Sequence, residues 1–233
     1  MTTFTGFPAE GVQFLRDLSE NNNKDWFQAH KQTYIDTVQQ PAVAFVEALG
    51  EQLSAEFPPI SYDTRLNGSG SLMRIYRDTR FSADKSPYKT QVAMMFVPPG
   101  YKSMETSGFG LQISPTEGAE LVAGIFGFSK AQLTVYREAV DDPQTGAALV
   151  EAVEQVQGAG HYMLGGKVLK RGPRDYAAEH PRAEWLKHKG LHVFAPPVPL
   201  DIVHTPDFIQ VVMDHFRNMA PVHMWLREAV VTK

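Results

Sequence analysis

The stretch GFGLQISPTEGAELVAGIF, residues 108–126, decides the fold of this chain of 233 residues. Apolar side chains occupy every second position from Phe109 to Ile113, the turn residues PTEG follow, and AELVAGIF is again mostly apolar. Alternation with a period of two is typical of β-strands, and proline and glycine mark the turn between them. Because strands joined by so short a connection pair antiparallel, this stretch predicts a hairpin within an antiparallel sheet.

Further strand candidates lie on both sides of the hairpin. Before it, 60–66 alternates, LMRIY at 72–76 follows the turn residues NGSGS, and VAMMFVPPG at 92–100 is an apolar run that ends in prolines. After it come KVLK at 167–170 and HVFA at 192–195. Successive strands without intervening helices predict a meandering antiparallel sheet, and they argue against a doubly wound parallel one.

Helical periodicity in the sequence predicts helices before and after these strands. Apolar residues at helical spacing predict a helix opened by Pro8, a second from Lys24 that Pro41 interrupts, and its continuation as far as Leu53. The same spacing predicts helices at 129–140 and 144–157, and two more after Thr205. We therefore expect an α+β fold whose N-terminal and C-terminal helices pack on an antiparallel sheet. No repeat or linker occurs, so residues 1–233 are expected to form a single domain.

The composition narrows the classes of function. Hydrophobic residues make up 43% and charged residues 21% of the chain, as in ordinary globular proteins. The absence of cysteine excludes disulfides, thiolate metal sites, iron-sulfur clusters and a cysteine nucleophile. A net charge of -4 disfavours non-specific coating of nucleic acid. No signal peptide or long apolar run is present, so we expect a cytoplasmic protein that does not enter the membrane.

Several familiar motifs fail at the residue that carries their chemistry. GHYMLGGKV at 160–168 has the wrong glycine spacing for a phosphate loop, and its last position is Val168 instead of Ser or Thr. GFGLQI at 108–113 runs into a strand and lacks the third glycine of a dinucleotide fingerprint. No serine has the glycine spacing of a nucleophile elbow. His188 and His192 stand four apart, but Gly190 lies between them, so we predict no metal site, and no cofactor is indicated.

A basic stretch, RIYRDTRFSADKSPYKT at 74–90, is a better candidate for a functional site than these motifs. Its two negative charges are Asp78 and Asp84, and its five positive charges are Arg74, Arg77, Arg80, Lys85 and Lys89. Pro87 disfavours helix at the residue before it, so a strand should deliver an extended loop. Arginine on a loop is suited to bidentate capture of phosphate or carboxylate. The structural alternative is that these cations pair with acids and pin the loop to the core.

A second basic segment lies at 167–190. Its cations include Lys170 and Arg171, with Tyr176, His180 and Trp185 interleaved. Solvated surface charge usually alternates in sign, so two such clusters in an acidic chain favour a binding role. We expect the two basic segments to meet around one concavity, with Arg77 or Arg80 near Lys170 or Arg171.

NNNKDWFQAHK at 21–31 permits two interpretations. Asn23 should cap a helix whose Trp26 and Phe27 pack on the core, which is a sufficient structural account. The alternative is that Lys24 and Lys31 line the edge of a pocket.

Three segments together are recognisable. FPAEGVQFLRDLSENNNKDWFQAHKQTY, RIYRDTRFSADKSPYKT and LKRGPRDYAAEHP resemble, in this order, the bacterial domain of unknown function numbered 2461. The resemblance covers nearly the whole chain. It implies a compact single domain and no established activity, substrate or cofactor.

The leading hypothesis is a basic pocket that binds an anionic small molecule bearing phosphate or carboxylate. Its ligand-binding candidates are Arg74, Arg77, Arg80, Lys85, Lys89, Lys170 and Arg171, and its candidate catalytic groups for proton transfer are Asp78, Asp84 and His180. Whether the protein is an enzyme stays open. The alternatives are a protein that binds or processes nucleic acid, and an interaction module whose basic loops form only a structural charge network.

Overall fold

The structure is a computed structural model that describes residues 4–101, 105–166 and 168–231. The α-helices in this part of the chain are α1 Ala9–Glu20, α2 Lys24–Ala29, α3 Lys31–Tyr34, α4 Gln40–Glu56, α5 Lys130–Asp141, α6 Pro143–Gly158, α7 Ala183–Leu186, α8 Leu200–Val203 and α9 Phe208–Leu226. Two π-helical segments, Ile35–Gln39 and Arg227–Val231, continue α3 and α9. No helix among the described residues combines the length and the apolarity that crossing a membrane requires.

Five strands form an open antiparallel sheet, which confirms the predicted α+β class. They are β1 Val92–Phe96, β2 Gly108–Ser114, β3 Gly118–Ile125, β4 Met163–Gly165 and β5 Leu191–Phe194. Their order is β1-β2-β3-β5-β4, so the first three are neighbours in sequence as well as in the sheet. In register, Val122 of β3 and Met163 of β4 both pair with Phe194 of β5.

The predicted hairpin at 108–126 is present as β2 and β3. The alternation of β2 is matched by burial, because Phe109, Leu111 and Ile113 are each at most 3% exposed. β4 was not predicted, since three residues are too few to show a period.

The strand predicted at 60–66 is wrong. The segment forms a single bridge at Ser61 and no continuous strand, since side chains take several of the backbone hydrogen bonds that a strand needs. The Asp63 carboxylate accepts the backbone N–H of Arg65 at 2.9 Å, and the Asn67 side chain accepts that of Ser69 at 3.0 Å. Ser71 N–H donates to the Asp63 carbonyl at 2.7 Å and closes the segment into a turn.

The residue contacts divide the chain into two compact units. Unit 1 comprises the described parts of 1–96, 110–121 and 197–213, and unit 2 those of 97–109, 122–196 and 214–233. The single-domain expectation therefore stays a prediction.

Unit 1 has an aromatic core next to its N-terminal helices. Phe45 of α4 stacks on Phe208 at 5.1 Å between ring centroids and meets Phe4 edge-on at 5.0 Å. Asn23 caps α2 as predicted, accepting the backbone N–H of Trp26 at 3.0 Å. The predicted break at Pro41 takes the form of the π-helical turn Ile35–Gln39, so the chain stays helical and Pro41 lies in the first turn of α4.

Unit 2 is built around the C-terminal helix. Phe109 packs on Phe216 at 4.8 Å, and Tyr136 meets Trp225 edge-on at 5.9 Å. The sequence predicted two helices after Thr205, but α9 runs unbroken through Pro221. Burial of its apolar face explains this, since Phe216, Val222 and other residues of that face are fully inaccessible to solvent.

Candidate functional site

Residues 71–77 run antiparallel to residues 87–95 and join the two ends of the basic stretch. The backbone N–H of Lys89 donates to the carbonyl of Ile75 at 2.7 Å, and further ladder bonds lie on both sides. This ladder places Arg74 and Lys89 on paired strands and leaves residues 77–86 as a closed loop, called here the basic loop.

Ion pairs hold the basic loop together. Arg77 pairs with Asp84 across it. Arg80 donates from Nε and Nη2 to the carboxylate of Asp78, at 2.9 and 2.7 Å. The side chains of Arg77 and Asp84 are 29% and 59% exposed, so water screens their attraction. These pairs shape the loop and contribute little to the stability of the core.

Further hydrogen bonds also lie within the loop. Lys85 Nζ donates to the carbonyl of Thr79 at 2.9 Å. The Asp84 carboxylate accepts the hydroxyl of Ser86 at 2.6 Å and its backbone N–H at 2.9 Å. Three of the predicted ligand-binding cations, Arg77, Arg80 and Lys85, are therefore engaged within the loop. The structural alternative considered from the sequence accounts for these contacts.

Hydrogen bonds keep both acids of the loop ionised. Those from Ser86 and then Arg77 hold the pKa of Asp84 well below its usual range. The bond from Arg80 lowers the pKa of Asp78 to about 2. A general base works best with a pKa near the working pH, which neither carboxylate has. Their role in proton transfer stays a prediction.

The tip of the basic loop carries an exposed aromatic ring. Phe81 is 95% exposed, and the guanidinium of Arg80 lies 5.7 Å from its ring centroid. It is the ion pairs that close the loop, and Phe81 points into solvent.

Arg74 and Lys89 stand apart from this network. Among the described residues, neither side chain has an acidic partner within 4.0 Å or a side-chain hydrogen bond. Burial, and then the nearby charge of Arg74, lowers the pKa of Lys89. Two cations close enough to repel each other raise the positive potential around them.

Arg74 lines a cleft of about 150 Å³ within unit 1, called here the Arg74 cleft. One side of the cleft is formed by residues 27–39, which run from the end of α2 through the π-helix. The other side is formed by residues 66–76. The polar lining residues are Lys31, Tyr34, Gln39, Arg74 and Tyr76, and the apolar ones are Phe27, Ile35, Leu66, Leu72, Met73 and Ile75. No lining residue is acidic, so the cleft is positively charged. Lys31 lies at this cleft, in agreement with the pocket-edge interpretation of residues 21–31.

The π-helix gives the cleft a polar pair on its helical side. Tyr34 and Gln39 both line the cleft, although they are five residues apart in sequence. Residues five apart on an α-helix point about 140° away from each other. The i to i+5 pattern of a π-helix brings them together, and such turns are frequent at functional sites. Burial raises the pKa of Tyr34 to about 12, so its phenol is protonated at neutral pH.

Gly68 makes room for Arg74 on the opposite side. A Cβ atom at Gly68 would lie 2.5 Å from Cδ of Arg74 and 2.6 Å from its Nε. The φ angle of Gly68 is +90°, a conformation that other residues rarely adopt. The turn favours glycine here, and a larger residue would meet the flexible side chain of Arg74, which would have to shift.

The second basic segment belongs to unit 2. Val168 pairs with His188 in an isolated bridge, and Lys167 lies outside the described residues. Lys170 and Arg171 are exposed, and neither side chain has a hydrogen bond or an ion pair among the described residues. The expectation that this segment and the basic loop meet stays a prediction.

His180, the third predicted proton-transfer group, has partners at both ring nitrogens. Nε2 lies 3.1 Å from a carboxylate oxygen of Asp141, and Nδ1 accepts the backbone N–H of Arg182 at 3.0 Å. Arg182 itself donates to the carbonyls of Val140 and Asp141 at the end of α5. His180 thus helps to hold residues 180–182 at the end of α5. Its catalytic role stays a prediction.

The remaining histidines supply no metal centre in the part of the chain that the structure describes, where no group of three or more His, Asp or Glu residues could hold an ion. His192 is buried against Phe126, with 4.5 Å between ring centroids. His223 is fully buried, and its Nδ1 lies 2.9 Å from the hydroxyl of Ser107. Burial, and then the charge of Arg227, lowers the pKa of His223 to about 3. Ser107 is also inaccessible, so this pair is no hydrolytic dyad.

Comparison with known families agrees with the resemblance seen in the sequence. The family described as conserved hypothetical protein (DUF2461) matches residues 10–225. The chain belongs to this family. No curated protein matches the chain significantly. The DUF2461 match spans the basic stretch and all the residues that line the Arg74 cleft.

Sequence reasoning missed two lining residues of the cleft in this DUF2461 chain, Tyr34 and Gln39, and the neighbouring Gly68. Gly68 was noted only as turn chemistry. Tyr34 was assigned to the apolar stripe of a helix. Gln39 carried no signal, since only the π-helical turn brings it to the cleft.

Proposed function

We propose that the Arg74 cleft binds a small anionic molecule. The observation that carries this proposal is the guanidinium of Arg74, which lines a concavity without an acidic partner among the described residues. A cation left uncompensated in a cleft attracts an anion, and the planar fork of arginine suits carboxylate or phosphate. Lys31 in the lining and Lys89 beside Arg74 add to the positive potential.

Within the predicted set of ligand-binding residues, we assign the anion contact to Arg74 and the supporting charge to Lys89. Arg77, Arg80 and Lys85 have partners inside the basic loop, and a ligand would have to displace those partners first. Tyr34, protonated at neutral pH, supplies a neutral donor within the cleft.

Isothermal titration calorimetry with acetate, sulfate and inorganic phosphate tests this proposal. Charge-assisted hydrogen bonds contribute about 1.5–3 kcal/mol, so Arg74→Gln should weaken binding by at least about tenfold. Arg80→Gln is the matched control, because it also removes an arginine of the basic stretch, but one that Asp78 neutralises. Equal affinities in the wild type and Arg74→Gln would exclude the Arg74 cleft as the anion site.

The exposed ring of Phe81 favours single-stranded nucleic acid as a second candidate. Bases stack on exposed aromatic side chains, and nearby arginines bind the phosphates. Arg80 lies beside Phe81, and its ion pair with Asp78 would have to open for it to bind a phosphate.

A filter-binding or fluorescence anisotropy assay with a short oligonucleotide tests this candidate. Affinity should fall steeply with salt, and Phe81→Ala should abolish binding. Tyr101→Ala, which removes another exposed aromatic ring, should leave it unchanged. Absence of binding at low salt removes this candidate.

A further inference from the structure

The size of the Arg74 cleft restricts what can bind in it. Ligand pockets for larger organic molecules usually measure about 300–1,000 Å³. The Arg74 cleft has a volume of about 150 Å³. A cavity of that size accommodates a benzene-sized ring. A nucleotide, with a base, a sugar and phosphates, is too large to be enclosed.

Aromatic rings form much of the cleft wall. Phe27, Tyr34 and Tyr76 all contribute to the lining. Tyr88 connects them from behind, since it stacks on Phe27 at 4.1 Å and lies 5.5 Å from Tyr76. Phe27 and Tyr34 are 5.4 Å apart. Aromatic pairs with centroids 4.5–7 Å apart attract each other beyond simple burial of area. The wall therefore favours a flat aromatic body over an aliphatic one of similar size.

The polar groups define the two ends of such a ligand. Arg74 gives the side formed by residues 66–76 its positive charge, Lys31 adds a charge from the helical side, and no lining residue is acidic. Tyr34 and Gln39, on the helical side, supply neutral polar groups that can satisfy one ring substituent. A planar carboxylate matches the fork of an arginine, and it is coplanar with the ring that carries it.

We propose that the ligand is a monocyclic aromatic carboxylate, with its carboxylate on Arg74 and its ring against the wall of Phe27, Tyr34 and Tyr76. This inference rests on the proposed function, because it specifies the anion that the same cleft binds. It commits to a ring the size of benzoate with at most one small polar substituent.

Calorimetry with benzoate, 4-hydroxybenzoate, cyclohexanecarboxylate and acetate tests the proposal on the full chain. Benzoate should bind at least about tenfold more tightly than acetate, because ring stacking and apolar burial are added to the same carboxylate contact. Cyclohexanecarboxylate should bind more weakly than benzoate. Tyr76→Leu should reduce the preference for benzoate over acetate, whereas Tyr101→Leu, far from the lining residues in sequence, should preserve it.

The outcomes separate this inference from the proposed function. If acetate and phosphate bind through Arg74 but benzoate binds no more tightly, the aromatic ligand class is wrong and anion binding stands. If cyclohexanecarboxylate equals benzoate, the cleft selects an apolar body without regard to aromaticity, and the inference is again wrong. If no anion depends on Arg74, both proposals fail. Near-ultraviolet circular dichroism, which reports on Tyr34 and Tyr76, shows that each variant remains folded.

Discussion

Cδ of Arg74 lies 2.5 Å from the point where a side chain at Gly68 would begin. The turn and the proposed anion-binding arginine thus depend on each other. Removing the glycine must either displace the arginine or distort the turn.

Gly68→Ala should therefore weaken anion binding and lower stability together. A residue other than glycine at positive φ costs on the order of 1–3 kcal/mol, to be measured by urea denaturation. Gly100→Ala is a matched control, since Gly100 has a φ of +84° but no atom within 4 Å of its would-be Cβ. The control should lose stability by a similar amount and keep its affinity for anions. If both variants keep that affinity, Gly68 does not position Arg74.

Arg74→Gln should leave the melting temperature at neutral pH unchanged or raise it. The charge of Arg74 opposes that of Lys89 in the folded state, so its removal relieves repulsion and raises the pKa of Lys89. Arg182→Gln provides the contrast, because Arg182 donates to the carbonyls of Val140 and Asp141 at 2.6 and 2.8 Å. Its loss should cost about 1–3 kcal/mol. A large drop in melting temperature for Arg74→Gln would mean that Arg74 is structural.

The basic loop should be ordered without a ligand, and its order should depend on Asp84. Asp84→Asn removes the ion pair with Arg77 while keeping the size of the side chain. We expect faster tryptic cleavage at Arg80 and Lys85 with an unchanged melting temperature, since exposed pairs contribute little to global stability. The rate of cleavage, followed by mass spectrometry, measures this. A wild-type loop that is cleaved first among all sites contradicts the prediction.

Protonation of His223 should destabilise the fold in acid. Its pKa in the folded state is lowered to about 3, so between that value and about 6.5 the unfolded chain binds a proton that the folded chain does not. The free energy of unfolding should then rise with pH across this window, with His223 contributing up to about 1.4 kcal/mol per pH unit.

His223→Gln should reduce this slope in urea denaturation series measured at several pH values. Burial also lowers the pKa of His188, His192 and His215, and these residues contribute with the same sign. The difference between the wild type and the variant isolates the part due to His223. Identical slopes would show that His223 titrates normally in the folded protein.

The sequence predicted those parts of the fold in which local pattern and tertiary packing agree. The hairpin of β2 and β3 belongs to this class, because its alternation matches the burial of Phe109, Leu111 and Ile113. The strand expected at 60–66 failed because side chains of Asp63 and Asn67 compete for backbone hydrogen bonds, which alternation does not reveal. The predicted division of the C-terminal helix into two does not occur, because burial of α9 outweighs the cost of Pro221 within it.

Only the charged residues of the candidate site could be predicted from the sequence. The basic stretch pointed to Arg74 and Lys89, but charge alone could not separate them from Arg77 and Arg80, which find acids two to seven residues away. Tyr34 and Gln39 lie about 35 to 40 residues before Arg74 in sequence. Only the packing of the π-helical turn against residues 66–76 brings them to one cleft.

The loop that holds Phe81 also has a practical use. Its ion pairs join Arg77 to Asp84 and Asp78 to Arg80, so the closure of the loop does not depend on the ring at its tip. The chain contains no cysteine, and Phe81→Cys would therefore introduce a single, fully accessible thiol at the tip of the basic loop. A fluorophore or spin label attached there would report on molecules that approach the basic loop without disturbing the packed interior.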